Sequence, residues 1–157
     1  MRLYLVQHGK AVEKSVDPDR PLSDQGEQDV RCIASILAHA GTDPNKIFHS
    51  GKTRSRQTAE IFNGALQADA GAIEILGIAP LDSVTEFAGR VSELGEDTMI
   101  CGHQPFMGRL VSQLLADDEE LRLVEYSPGS VACLERSAGG DWALCWFLRP
   151  ELCHRDD

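Results

Sequence analysis

No apolar stretch in this sequence of 157 residues approaches the roughly 20 that a helix needs to cross a bilayer, so no membrane-spanning role is expected. No leader pattern precedes the first apolar run, and a cytoplasmic location is expected. Positive charge is scarce: 15 Lys and Arg stand against 25 Asp and Glu, a formal net charge of -10. Nucleic acid is therefore not expected as a partner, because such binding rests on neutralising phosphates with basic side chains. The five cysteines (Cys32, Cys101, Cys133, Cys145, Cys153) are odd in number and include no C-x-x-C pair. Neither a disulfide framework nor a zinc site is indicated, and most are expected as small buried apolar groups. There is no internal repeat, low-complexity tract or break in composition. A single domain spanning 1–157 is expected, since a chain of this length buries about two thirds of its unfolded surface in one core.

What the sequence does hold is arranged around Leu3-Tyr4-Leu5-Val6-Gln7-His8-Gly9-Lys10. The aliphatic run reads as a strand buried on both faces, ending in a histidine and then a glycine. Ligands of open α/β sheets gather where strands stop and the chain turns back towards a helix. Gly9 allows a close backbone approach to such a ligand. Thr98-Met99-Ile100-Cys101-Gly102-His103-Gln104-Pro105 repeats the plan, so His8 and His103 are expected to share one site.

Between these runs the prolines of Asp17-Pro18-Asp19-Arg20-Pro21-Leu22 predict an ordered loop. Ser23 or Asp24 caps a helix whose positions Val30, Ile33, Ala34 and Leu37 form its apolar face, and Gly41 ends it. Lys46–His49 reads as a second strand, after which Ser50-Gly51 is expected to cap a helix to about Leu66. Arg54 in that helix's first turn aims towards the strand ends, where main-chain N–H groups add partial positive charge suited to phosphate. Ala72–Ile75 reads as a third strand. Leu81–Leu94 reads as a helix capped by Asp82 or Ser83, with Val84, Phe87, Val91 and Leu94 as its stripe. A helix carrying Met107, Leu110, Val111 and Leu114 follows His103. Ser130–Glu135 and Trp142–Phe147 then form a hairpin about Ala138-Gly139-Gly140-Asp141, with Trp142, Trp146 and Phe147 expected in the core. This order predicts a three-layer α/β/α sandwich with a mostly parallel mixed sheet.

Gln7-His8-Gly9, Ser50-x-x-x-Arg54-x-x-Gln57-Thr58-Ala59-Glu60 and Gly102-His103, taken in order, resemble the signature segments of the histidine phosphatase superfamily, the fold of phosphoglycerate mutases. With Arg20-Pro21-Leu22 before the first helix and so short a chain, the sequence is most similar to the small bacterial phosphohistidine phosphatases of the SixA type. The resemblance implies a metal-independent phosphatase without a cofactor. It makes His8 the nucleophile that takes the phosphoryl group, with Arg54 and His103 as its catalytic partners. Gln7, Gly9, Arg20, Ser50, Arg54 and His103 are the expected phosphate-binding set. The implied partner is a phosphorylated histidine protein of the phosphotransfer type in signal transduction. The residues agree in kind, since phosphoryl transfer needs an in-line nucleophile and fixed positive donors. His103 is expected to serve as an imidazolium.

Two departures from the family pattern stand out. Gln7 replaces an arginine, keeping one amide donor but no charge and no fork; Arg20, on the loop after His8, is the expected compensation. No segment between Glu74 and Asp97 is long enough for a large lid carrying a general acid, although Asp82 and Glu86 lie there. A phosphoramidate needs less acid help than an ester, and an open site admits a protein-borne phosphohistidine. Two other functions stay open: a phosphatase of small phosphomonoesters, and a phosphate- or phosphohistidine-binding protein with little turnover because of Gln7. His49 is expected to be structural, His39 and His154 to lie on the surface, Gln57 and Glu60 to support packing, and Lys10 and Lys52 to be solvated.

Overall fold

A computed structural model describes residues 1–154; the last three positions of the expected 1–157 domain lie outside the described residues. Six strands, β1 (Arg2–Gln7), β2 (Lys46–His49), β3 (Ala72–Glu74), β4 (Thr98–Gly102), β5 (Val131–Arg136) and β6 (Trp142–Leu148), form one sheet in the order β3-β2-β4-β1-β5-β6. β1 is central, parallel to β4 and antiparallel to β5. β2 is parallel to both β3 and β4, and β5 with β6 forms the antiparallel hairpin.

The continuous apolar run of β1 divides by strand alternation. Leu3 and Leu5 enter one core layer, Tyr4 and Val6 the other. Helices α1 (Asp24–His39) and α2 (Thr53–Leu66) cover the Tyr4 face through Val30, Ile33, Leu37, Ala59 and Phe62. Helices α3 (Val84–Val91) and α4 (Phe106–Ala116) cover the Leu3 face through Val84, Phe87, Phe106, Met107 and Leu110. The result is the three-layer α/β/α sandwich with a mixed sheet.

Several local expectations need correction. α3 starts at Val84 because Ser83 takes the cap, its Oγ accepting from Glu86 N at 3.2 Å. Leu81 therefore lies outside the helix, 84% exposed. α2 is capped by neither Ser50 nor Gly51; Lys52 stands at its N-cap position without a side-chain hydrogen bond. Trp142, Trp146 and Phe147 are only partly buried, because β6 is an edge strand with few neighbours on its outer side. Cys32 on α1 and Cys153 in the 3-10 turn Pro150–Cys153 form a disulfide, contrary to the cysteine expectation. The pair is 121 residues apart, a separation that spacing motifs do not reveal. Of the free thiols, Cys101 and Cys133 are buried and Cys145 is exposed.

Candidate active site

The register of β1 on β4 sets Gln7 opposite Gly102, so the next residue of each strand, His8 and His103, leaves the sheet beside the other. His8 N donates to Gly102 O at 2.9 Å. The two rings have centroids 5.0 Å apart and planes inclined at 60°. His103 is buried, 2% exposed, and His8 is partly buried.

His8 Nδ1 lies 2.7 Å from Gly9 O. A carbonyl oxygen only accepts, so Nδ1 carries the hydrogen and Nε2 keeps its lone pair. Arg54 Nε donates to that Nε2 at 3.2 Å. Burial drives the His8 pKa down to about 4; the Gly9 carbonyl opposes the shift, and the charges of Arg54, Arg20 and Lys52 add to it. His103 is held at about 3 by burial first, then by His8, Arg54, Lys52 and Arg20. Both shifts favour the neutral imidazole in the ligand-free protein; the imidazolium expected of His103 belongs to the complex, where a phosphoryl dianion raises its pKa. Burial and the Arg20 charge also lower the pKa of Arg54.

The first turns of α2 are fastened to the strand ends by side chains whose roles the sequence pattern left open. Ser55 Oγ donates to Cys101 O at 2.7 Å and accepts from Ser50 N at 3.0 Å. Thr58 Oγ1 donates to Arg54 O at 2.8 Å and accepts from Gly9 N at 3.0 Å. Gln57 Oε1 accepts from Leu22 N at 2.7 Å, which anchors the loop after His8 to the same helix. Ser55 has no sequence signal beyond its place beside Arg54, because a buried serine has no periodicity of its own. Gly9 is required for close approach: a Cβ there would stand 2.7 Å from Val30 Cγ2 and 2.9 Å from Gly26 O.

Of the remaining expected residues, Arg20 sits at φ 47 with its Nε donating to Val12 O at 3.2 Å, and its charge acts on His8, His103 and Arg54. Ser50 Oγ lies 2.6 Å from His103 Nε2, while His103 Nδ1 is buried without a partner among the described residues. Gln7 is partly buried, and its Oε1 is likewise buried without a partner there. Lys52 is exposed, as expected of a solvated side chain, and its charge also bears on both histidines. Asp82 is engaged in a turn, its Oδ2 accepting from Ala79 N at 2.8 Å, and the Glu86 main chain donates to the α3 cap. His49 is structural, its Nδ1 accepting from Gly51 N at 3.0 Å. His39 and His154 are exposed. Three cationic side chains thus gather about two neutral imidazoles, which suits a tetrahedral anion despite the chain's net charge of -10.

The family model for the histidine phosphatase superfamily (branch 1) matches residues 3–76. An uncharacterized protein of Picosynechococcus is 33% identical over 115 residues, covering 69% of each chain. The phosphohistidine phosphatase SixA of Escherichia coli is 21% identical over 155 residues, 96% of this chain and 94% of the relative. Among solved structures, the protein histidine phosphatase SixA complexed with tungstate superposes with a TM-score of 0.87 at 21% identity, over 98% of this chain and all of that one (100%). At that identity the structural likeness speaks for the fold.

Proposed function

Because this chain belongs to the histidine phosphatase superfamily, we propose that it is a phosphohistidine phosphatase which removes phosphate from a histidine of another protein through an intermediate on His8. The observation that carries this is the hydrogen bond between His8 Nδ1 and Gly9 O, at 2.7 Å, which leaves Nε2 as the nucleophile. The Nε2 lone pair attacks phosphorus while the N–P bond of the substrate breaks, and the substrate imidazole, already protonated on its other nitrogen, leaves as the neutral base. Water then attacks phosphorus, the bond to His8 breaks, and inorganic phosphate leaves. Arg54 donates to Nε2 in the free protein; on binding, its guanidinium passes to the phosphoryl oxygens, which are the stronger acceptors. His103, Arg20, Ser50 and the Gln7 amide complete the binding set, and no metal or cofactor enters these steps; Gly9, expected in that set, instead orients the nucleophile, since its N–H is held by Thr58 Oγ1 and its carbonyl by His8 Nδ1. The whole chain serves as one catalytic domain.

A protein substrate, of the histidine-containing phosphotransfer type, is favoured by the short connection from β3 to β4, which holds α3 in place of a large lid. The same reading places the enzyme in the cytoplasm and in signal transduction. Among the described residues no helix is long and apolar enough to cross a membrane. The Cys32–Cys153 disulfide is unusual for that compartment, where thiols are mostly kept reduced.

Rapid mixing with a radiolabelled phosphohistidine protein tests the proposal: an acid-labile label should appear on His8 and decay to phosphate. Turnover of a simple phosphoester with none of the phosphoprotein would favour a small-molecule phosphomonoesterase. Gln7 supports a second reading, a binding protein with little turnover, because its uncharged amide stands where the family carries arginine; binding without label would establish it.

A further inference from the structure

The Cys32–Cys153 disulfide joins α1 to the 3-10 turn Pro150–Cys153. Gly129 N donates to both Gln7 O at 3.0 Å and His8 O at 3.1 Å, so this one amide holds the carbonyls of the nucleophile and of the residue before it. Gly129 has φ 89, a conformation that favours glycine. A Cβ at Gly129 would meet Pro150 Cγ at 2.9 Å, so the buried Pro150 side chain packs closely against it. Pro150 opens the 3-10 turn that ends at Cys153. On the other side Val30 reaches both glycines: its Cγ2 would be 2.7 Å from a Cβ on Gly9 and 3.8 Å from one on Gly129. Val30 and Cys32 belong to the same helix, α1. The disulfide therefore ties the turn that presses on Gly129 to the helix that presses on Gly9.

We propose that this disulfide is a redox-sensitive clamp on the catalytic backbone, and that a dithiol reductant lowers activity by releasing the turn from Gly129. Both sulfurs belong to partly exposed residues, so a small dithiol can reach the bond. In the step, one thiolate of the reductant attacks a sulfur of the pair and its second thiol displaces the mixed disulfide. The reductant is oxidised to its own disulfide, and Cys32 and Cys153 each end as thiols. Without the covalent tie the four-residue turn keeps only its noncovalent contacts, and short segments with few such contacts open most readily.

The inference rests on the phosphatase reading for its effect on turnover, but its structural half is measured without turnover. Amide hydrogen exchange at Gly129 and His8 is compared in the oxidised and reduced full-length protein, alongside kcat/KM on phosphoramidate. Reduction should speed exchange at Gly129 by about tenfold or more and lower kcat/KM by a similar factor, since small misplacements of reacting groups are costly. Cys153→Ser should match the reduced protein and lose its response to reductant, whereas Cys145→Ser should behave as wild type in both states. Equal exchange and equal turnover in the two redox states would overturn the clamp, as would a redox response that persists in Cys153→Ser. Should that variant fail to fold, reduction of the wild-type chain reads the same quantities. Redox-dependent exchange in a protein that turns over no phosphoryl compound would refute the phosphatase reading and leave the backbone clamp standing.

Discussion

Arg54 Nε donates to His8 Nε2 across 3.2 Å, so the guanidinium faces the lone pair assigned to nucleophilic attack. The contact keeps Nε2 unprotonated and places a fork of donors where the phosphoryl oxygens arrive. Arg54→Ala should lower kcat by about 100- to 1000-fold, the usual cost of losing one positioned donor. Arg54→Lys should recover little of this, because an ammonium cannot reproduce the fork. Steady-state kinetics on phosphoramidate measures both, and a loss below tenfold would remove Arg54 from the catalytic set.

The charge absent at Gln7 is expected to come from Arg20. Arg20→Ala should weaken inhibition by inorganic phosphate and lower kcat/KM by about 100-fold. Gln7→Arg should raise kcat/KM by about tenfold or more and make the loss of Arg20 less costly. The double variant therefore departs from additivity, as expected for two residues that serve one anion. Additive effects in that cycle would show that the two positions do not share a ligand.

The pH dependence of catalysis follows from His8, which must be neutral to attack. Burial lowers its pKa from 6.5 to about 4, so the acid limb of kcat/KM should fall near pH 4 and activity should persist through pH 6.5. A limb at 6.5 in the pH–rate profile of the free enzyme would contradict the burial of His8.

Stability should respond to the same histidines. Between pH 6.5 and about 4 for His8, or about 3 for His103, the unfolded chain binds more protons than the folded one. Stability is therefore full above pH 6.5 and declines as pH falls through that window. Urea titrations should show this decline, and His103→Gln should reduce its slope, provided the variant folds.

Reduction of Cys32–Cys153 should cost stability as well. The bridge closes a loop with a sequence separation of 121 residues. Chain-entropy reasoning puts its upper contribution at about 5 kcal/mol. A urea midpoint unchanged by reductant would show that the unfolded chain is little constrained by the bridge.

The pattern of residues by itself determined the layers, most of the element order and the pairing of His8 with His103. Strand alternation in Leu3-Tyr4-Leu5-Val6 and the i, i+3, i+4, i+7 spacing of α1 are local periodicities, and each residue carries its share of the signal. His8, Arg54 and His103 were legible for a related reason: each stands at the end of a strand or in the first turn of a helix, where side chains converge.

Tertiary structure decided what depends on contacts between distant segments. The register Gln7 opposite Gly102 brings the two rings within 5.0 Å, and burial then makes both neutral, which charge counting along the chain cannot show. Ser55 and Thr58 acquire their roles only because α2 lies against the ends of β1 and β4. Cys32 meets Cys153 only because the terminal turn folds back onto α1. Hydrogen bonds, desolvation and disulfides act through separations of a few ångströms, and only the packed chain sets those.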